Sequence, residues 1–169
     1  MPMKPLRLAV DTNVLLDLAV GVHSVLDTLA LLDERLPGHD IVVVPSVLDE
    51  LAFLSDSGET DSVRQSAQEA ICLIREQNRF RPLLDLVCHP TLVSDVAAEI
   101  RSQGLLPAQE IHDSLILAEA TVIGCGLLLT SDQHLCGVDH ELLTLVLNPF
   151  DLVPPVIASP KAIVRKFFR

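Results

Sequence analysis

The chain has 169 residues, of which 49% are apolar, and its mean hydropathy is +0.42. A chain of this size usually folds around one core, so we expect a single domain over residues 1–169. This apolar content excludes intrinsic disorder. The most apolar stretch, residues 115–129, contains Glu119 and is shorter than the roughly 20 residues that span a bilayer, so we expect no membrane segment. Asp11 and Asp17 interrupt the first apolar run, which argues against a signal peptide.

The charge balance is strongly acidic, with 12 Lys and Arg against 23 Asp and Glu, a net charge of −11. Net attraction to a polyanion is therefore absent, which argues against a general nucleic-acid coat protein but not against an enzyme with a local acidic metal site. The four cysteines, Cys72, Cys88, Cys125 and Cys136, lack CxxC spacing. They are expected to be buried thiols of a protein in the reducing cytoplasm.

Short apolar runs alternate with helical patterns, which is typical of βα units around a parallel sheet. Strands are predicted at residues 6–10, 41–44, 83–87, 127–130 and 149–153. Helices are predicted at 14–18, 24–35, from Pro45 onward with a capping box at 46–49, at 61–77, 94–102 and 107–123, and from Pro160 to Arg169 after an N-cap at Ser159. Residues 55–60 are predicted as a loop, and residues 141–147 fit either a helix or a strand. The pattern predicts an α/β fold with a central parallel sheet.

Three acidic residues follow predicted strands. Asp11 comes directly after the first strand, Asp132 follows the strand at 127–130, and Glu50 lies in the first turns of the helix that begins at Pro45. Ligands of open parallel sheets bind at the carboxyl ends of the strands, so we expect these three carboxylates at one edge. Asp113 lies early in the helix at 107–123, and its position depends on how that helix docks.

Four carboxylates brought together without a cation would raise one another's pKa and destabilise the fold. A bound Mg²⁺ or Mn²⁺ removes this conflict, because both ions prefer carboxylate oxygens, water and phosphate as ligands. Such an ion activates water and polarises a phosphoryl oxygen, so the matching reaction is phosphodiester hydrolysis. Taken singly, these acids are explained more simply as helix caps, dipole partners or turn residues. Asp11 is the exception, because an acid at the tip of a buried strand, followed by Thr-Asn, points to function.

The sequence around these acids resembles the motifs of the PIN-domain family of metal-dependent nucleases. Residues 10–17, VDTNVLLD, resemble the first motif of that family. Residues 45–51 (PSVLDEL), 112–118 (HDSLILA) and 129–132 (LTSD) resemble the second, third and fourth motifs, in the family order. Residues 157–161, IASPK, resemble the serine-proline segment that closes the family's domain.

The resemblance implies a three-layer α/β/α fold and an endoribonuclease that uses one or two Mg²⁺ or Mn²⁺ ions. Metal-activated water would attack the RNA phosphodiester and leave 5′-phosphate and 3′-hydroxyl ends. The carboxylates that match the family's metal-binding and catalytic positions are Asp11, Glu50, Asp113 and Asp132. Asn13, Thr130 and Ser131 match supporting positions, where an amide holds a ligand and a hydroxyl orients a carboxylate.

The chain is similar to the VapC-like toxins of type II toxin–antitoxin systems. That similarity implies a homodimer that an antitoxin protein inhibits by filling the acidic pocket. RNA contacts would then be local, and basic residues near Phe80 and Phe167 are the candidates for them. These residues are Arg79, Arg81, Lys161, Arg165 and Lys166. The simpler explanation is that they are cations at helix ends, with phenylalanines that pack on the core or on a second subunit.

Two other functions remain open at the level of sequence. A PIN-like fold can serve as a catalytically silent binding or assembly module, since fold does not fix function. An aspartate-nucleophile phosphatase also begins with an acid after a strand, but that chemistry needs a second acid two residues later. This chain has Asn13 at that position, which argues against the phosphatase.

Overall fold

The computed structural model describes residues 5–167, and it contains one parallel sheet of five strands. In chain order the strands are β1 (Arg7–Val10), β2 (Asp40–Val43), β3 (Phe80–Pro82), β4 (Leu127–Leu129) and β5 (Val156–Ala158). Their order across the sheet is β3-β2-β1-β4-β5, so β1 is the central strand. Whatever follows β1 therefore lies in the middle of the carboxyl edge.

Helices cover both faces of the sheet. They are α1 (Thr12–Ala19), α2 (His23–Arg35), α3 (Pro45–Ser57), α4 (Asp61–Glu76), α5 (Leu92–Ser102), α6 (Ile111–Val122), α7 (Gln133–Cys136), α8 (His140–Leu147) and α9 (Pro160–Phe167). Right-handed crossovers between parallel strands place α1–α4 on one face and α5–α8 on the other. The helix contacts agree, because α4 packs on α1 and α3, α9 packs on α2, and α5 packs on α6 and α8. The predicted three-layer α/β/α architecture is confirmed.

After their partly buried first residues, the three central strands are apolar and fully enclosed, as parallel strands covered on both faces should be. Leu8, Ala9 and Val10 of β1 have no exposed surface, and β2 and β4 are buried in the same way. Short, rigid strands of this kind fix the backbone position of the residue that follows them. This is how the sheet positions the acids at its carboxyl edge.

The two edge strands were predicted in the wrong places. The strand expected at 83–87 is β3 at Phe80–Pro82, and Leu84 and Val87 are exposed. An edge strand tolerates the proline that ends β3, because on its open side no neighbouring strand needs a backbone N–H donor. The strand expected at 149–153 is a 3₁₀ turn at Asn148–Phe150, and the fifth strand lies beyond it at β5.

The helices were largely predicted, with three corrections. The helix expected from residue 107 begins at Ile111, and the loop expected at 55–60 is shorter, because α3 continues to Ser57. The ambiguous segment 141–147 is helical. The capping box at 46–49 is wrong, since Val44 is the N-cap of α3 and makes no side-chain cap bond.

The C-terminal helix and its cap were predicted correctly at their start. Ser159 Oγ accepts from Ala162 N at 3.1 Å, and Pro160 is the first residue of α9. The predicted end at Arg169 lies outside the described residues. The cysteines were predicted less well, because Cys125 is buried but Cys72 and Cys136 are exposed.

Among residues 5–167, no single helix is long and apolar enough to cross a membrane. Taken together, α1 and α2 have the length and apolar composition of a membrane span, but the two helices are bent by 106° relative to each other. Val14, Leu15, Val25 and Leu29 of this pair are buried in the core of the protein. Buried core helices meet the same criteria of length and composition.

Candidate functional site

Hydrogen bonds continue the sheet by one residue beyond β1 and β4. The backbone N–H of Asp11 donates to Leu129 O at 2.9 Å, and that of Thr130 donates to Ala158 O at 3.1 Å. This places Asp11 and Thr130 side by side at the carboxyl edge, and Thr130 Oγ1 donates to Asp11 Oδ2 at 2.6 Å. The Thr130 hydroxyl, one of the two predicted as an orienting group for a carboxylate, therefore contacts Asp11.

Asp11 is a buried carboxylate with only 3% of its surface exposed. It is the N-cap of α1 and accepts from Thr12 N at 2.7 Å, and its second oxygen also accepts from Asn13 Nδ2 at 2.9 Å. Burial raises the pKa of Asp11, and the charges of Glu50 and Asp132 raise it further, against the bonds from Thr130 and Thr12. The fold therefore holds Asp11 rigidly but opposes its negative charge.

Asn13, Thr130 and Ser131 tie the loop after β4 to the start of α1. Asn13 Oδ1 accepts from Ser131 N at 3.0 Å, while its amide donates to Asp11. Thr130 Oγ1 accepts from Asp132 N at 3.0 Å and donates to Asp11. The hydroxyl that orients the carboxylate therefore belongs to Thr130, and Ser131 contributes its backbone N–H.

Asp132 is the N-cap of α7, a helix that the sequence did not predict. Its Oδ1 accepts from His134 N at 2.8 Å and from Leu135 N at 3.0 Å. The local explanation of Asp132 as a turn residue is replaced by a helix N-cap, and the two capping bonds fix the position of its carboxylate. The Coulomb interaction of Asp132 with both Asp11 and Asp113 places it within the same cluster.

Glu50 is held by two side chains from other elements. Thr12 Oγ1 donates to Glu50 Oε2, and His112 Nε2 lies 2.9 Å from the same oxygen. Burial acts to raise the pKa of Glu50, but the bonds from His112 and Thr12 outweigh it and lower the pKa. The hydrogen bond to Glu50 raises the pKa of His112. Sequence reasoning gave His112 no site role, yet the first turn of α6 brings it and Asp113 to the cluster together.

Asp113 shows that the start of α6 does dock at the carboxyl edge. Burial raises the pKa of Asp113 to about 6, and the charges of Asp132, Asp11 and Glu110 contribute to this shift. At the next residue of the helix, Arg101 Nη1 donates to the hydroxyl of the fully buried Ser114. The end of α5 is thereby fastened to the first turn of α6, and this holds Asp113 in place.

Glu119 is a buried carboxylate for which the sequence analysis predicted no role. Its two oxygens accept from Ser46 N at 3.0 Å and from Ser46 Oγ at 2.9 Å, at the N-terminus of α3. Burial raises the pKa of Glu119 in spite of these bonds. The contact joins α6 to the helix that carries Glu50. A charged residue within an apolar helical run was the sequence signal for such a partner.

The four predicted acids thus share one edge of the sheet, and their donor chemistry fits Mg²⁺ or Mn²⁺. Both ions bind through a few carboxylates and retain water. Among residues 5–167, no three His, Cys, Asp or Glu side chains already stand in a metal-binding arrangement. Protein hydrogen bonds engage Asp11 and Glu50 instead. Binding a metal here therefore requires side-chain rearrangement within the cluster.

None of the candidate RNA-binding cations forms an ion pair with the acidic cluster within the described residues. Arg79 forms an ion pair with Asp33, and Arg81 forms one with Asp40, which begins β2 at the amino edge of the sheet. Phe80 between them is buried, so its ring is not available for stacking on a base. The other candidates, Lys161, Arg165 and Lys166, lie on α9, which packs on α2.

Comparisons with known proteins give a likeness of fold. No protein-family model matches this chain, and no curated protein matches it in sequence. A chain in the crystal structure of VapBC2 from Rickettsia felis bound to a DNA fragment from their promoter is similar, with a TM-score of 0.59 and 16% identity. The match covers 91% of this chain and 98% of that one. The chain has a three-layer α/β/α PIN-like fold.

Proposed function

We propose that this protein is an endoribonuclease that depends on Mg²⁺ or Mn²⁺ and hydrolyses RNA phosphodiester bonds. The observation that carries the proposal is the gathering of Asp11, Glu50, Asp113 and Asp132 at one sheet edge. Within the described residues, no arginine or lysine lies within ion-pair distance of any of these carboxylates. Such a cluster opposes its own charge, and a divalent cation relieves that repulsion.

The four carboxylates would hold the metal, which when bound supplies a water of lowered pKa and positive charge for the phosphate. The chain's own residues orient the ligands. Thr130 and Asn13 fix Asp11, and the N-terminal amides of α7 fix Asp132. Thr12 and His112 hold Glu50. Hydrogen-bonding partners of this kind set ligand direction, and losing one usually lowers activity or metal affinity about 10- to 100-fold.

The test is RNA cleavage in Mg²⁺, in Mn²⁺ and in chelator, with wild type beside Asp11→Asn and Asp132→Asn. Asp139→Asn is the matched control, because Asp139 caps α8 as Asp132 caps α7. Asp139 Oδ1 accepts from Glu141 N at 2.9 Å and from Leu142 N at 3.0 Å. Since asparagine is an equally good N-cap, both cap variants should fold.

We expect metal-dependent cleavage by wild type and Asp139→Asn, and a loss of at least about 100-fold in the two cluster variants. All proteins are purified identically, to exclude a contaminating ribonuclease. Cleavage that persists in chelator, or that survives in both cluster variants, would contradict the proposal.

We also propose that the protein is the toxin of a toxin–antitoxin pair in the cytoplasm, and that it forms a homodimer. The first support is the fold shared with a chain of the VapBC2 structure. The second is the net charge of −11, which would attract a basic partner protein that covers the acidic cluster. Expression in a bacterial host tests the toxin role. Wild type should arrest growth and Asp11→Asn should not, and equal growth with both would remove this role. Sedimentation of the purified protein tests the dimer.

A catalytically silent binding or assembly module is the second candidate. The observation that favours it is that no three metal-binding side chains stand ready within residues 5–167. If this candidate is correct, neither RNA cleavage nor Mn²⁺ binding through Asp11 will be found. Thermal unfolding with and without Mn²⁺ therefore separates the two functions.

A further inference from the structure

Phe53 is an aromatic side chain on α3 with 63% of its surface exposed. It differs from the other phenylalanines of the described residues. Phe80 is buried, Phe150 is half-buried, and Phe167 is 48% exposed on α9. A single exposed apolar side chain is ordinary on a protein surface, so exposure by itself assigns no role to Phe53. Its position relative to the acids is what distinguishes it.

Phe53 lies three residues after Glu50 on the same helix. Residues three apart are neighbours on a helix surface, and helical side chains lean toward the N-terminus of their helix. Helical spacing therefore places Phe53 on the same side of α3 as Glu50, one turn further along the helix. Glu50 itself reaches Thr12 and His112 at the carboxyl edge. An exposed aromatic surface thus borders the acidic cluster on its α3 side.

The charge of the chain makes such a surface useful for binding RNA. A net charge of −11 gives poor long-range attraction to a phosphate backbone, and Arg79 and Arg81 are already paired with Asp33 and Asp40. Stacking of a base on an aromatic ring does not depend on net charge and accepts any base. Single-stranded RNA is the form whose bases can turn out and stack in this way.

We propose that Phe53 is a base-stacking residue, which binds one unpaired base of a single-stranded RNA next to the phosphate held at the acidic cluster. This inference rests on the proposed ribonuclease function and names the form of its substrate. Phe53 forms no bond with the reacting atoms. Its contribution is to binding, so it affects KM and affinity more than kcat.

The test is binding of a single-stranded RNA oligonucleotide that contains the fluorescent base 2-aminopurine, measured in Ca²⁺, which takes carboxylate and phosphate ligands in place of the proposed catalytic ions. Phe53→Ala is compared with wild type, with Phe53→Trp and with Leu145→Ala. The last variant removes an apolar side chain that is 67% exposed on α8, a helix that carries neither a cluster acid nor a candidate RNA-binding cation. We expect Phe53→Ala to weaken binding about tenfold and to lose the fluorescence change caused by stacking. Phe53→Trp should keep both, and Leu145→Ala should resemble wild type.

Equal RNA affinity and equal fluorescence for wild type and Phe53→Ala would overturn the stacking role. If wild type still cleaves RNA in Mn²⁺ in that case, the ribonuclease function stands and only the stacking falls. If wild type neither binds nor cleaves RNA, both fall. A Phe53→Ala variant with unchanged RNA binding but altered sedimentation would assign Phe53 to a protein interface instead, which also overturns the proposal.

Discussion

The two edges of the sheet carry the same residue type in opposite electrostatic settings. At the amino edge, Asp40 lies 3.8 Å from Arg7 and also pairs with Arg81, while Asp33 pairs with Arg79. At the carboxyl edge, histidine is the only basic residue type that reaches the acidic cluster within the described residues, as His112 does at Glu50. The amino edge neutralises its acids with arginine, and the carboxyl edge leaves most of its acids to repel one another.

The difference separates acids whose charge is already neutralised from acids that would be stabilised by a bound cation. An acid paired with arginine satisfies its own charge and needs no ligand. Burial raises the pKa of Asp11, so its negative charge lowers the free energy of unfolding of the metal-free protein. A bound cation would offset this loss. Each of the following predictions compares a change at one edge with a change at the other, or within the cluster.

The largest expected effect is stabilisation by Mn²⁺. At a free concentration of 100 times the dissociation constant, a native-state ligand adds about 2.7 kcal/mol to the free energy of unfolding. We expect this gain for wild type and for Asp40→Asn at the amino edge, and none for Asp11→Asn. Thermal unfolding by circular dichroism measures it. A gain in Asp11→Asn as large as that in wild type would place the metal elsewhere.

The next effect separates two neighbouring hydroxyls. Thr130→Val removes the hydroxyl that donates to Asp11 and accepts from Asp132 N, so RNA cleavage should fall about 10- to 100-fold. Ser131→Ala keeps the backbone N–H that donates to Asn13, and cleavage should change little. Initial rates at several Mn²⁺ concentrations measure both. Equal losses in the two variants would argue against the orienting role of Thr130.

The third effect is a pH dependence of stability without metal. The fold raises the pKa of Asp113 from 3.8 to about 6, so it favours the protonated carboxyl. Stability from this group is therefore present below pH 4 and is lost as the pH rises through 6. Asp113→Asn has no carboxylate to ionise, so at pH 7.5 its free energy of unfolding should exceed that of wild type. The expected difference is about 1 kcal/mol, because solvent screens the charge of a half-buried group. Urea unfolding at pH 4 and pH 7.5 measures the difference, and an advantage of equal size at both would contradict it.

The smallest effect is expected at the amino edge. Asp40→Asn removes the partner of Arg7 and Arg81, and partly exposed ion pairs contribute about 0.2–1 kcal/mol. Stability should therefore fall slightly, the loss should shrink in high salt, and RNA cleavage should be unchanged. Urea unfolding at two ionic strengths measures this loss. A large loss of cleavage would mean that the amino edge also takes part in function.

Much of the site was predictable because local structure fixes it. Asp11 and Asp132 follow apolar strands whose pattern predicts burial in the middle of the sheet. Glu50 lies five residues after Pro45, where its helix begins. Asp113, by contrast, depends on the docking of α6, and no local pattern determines where a long apolar helix packs. His112 and Glu119 were missed for the same reason, since their partners Glu50 and Ser46 lie 62 and 73 residues away in the chain.

The positions of the two edge strands also depend on contacts between residues distant in the chain. Residues 80–87 and 149–158 each contain more than one short apolar run, and pairing with β2 or β4 selects the one that becomes a strand. The sequence alone determined the alternation of strands and helices, the parallel sheet and three of the four acids at its carboxyl edge, because buried strands and helix starts are encoded locally. Only the tertiary structure decided how α6 completes the cluster and which acids arginine neutralises, because those contacts join residues distant in the chain.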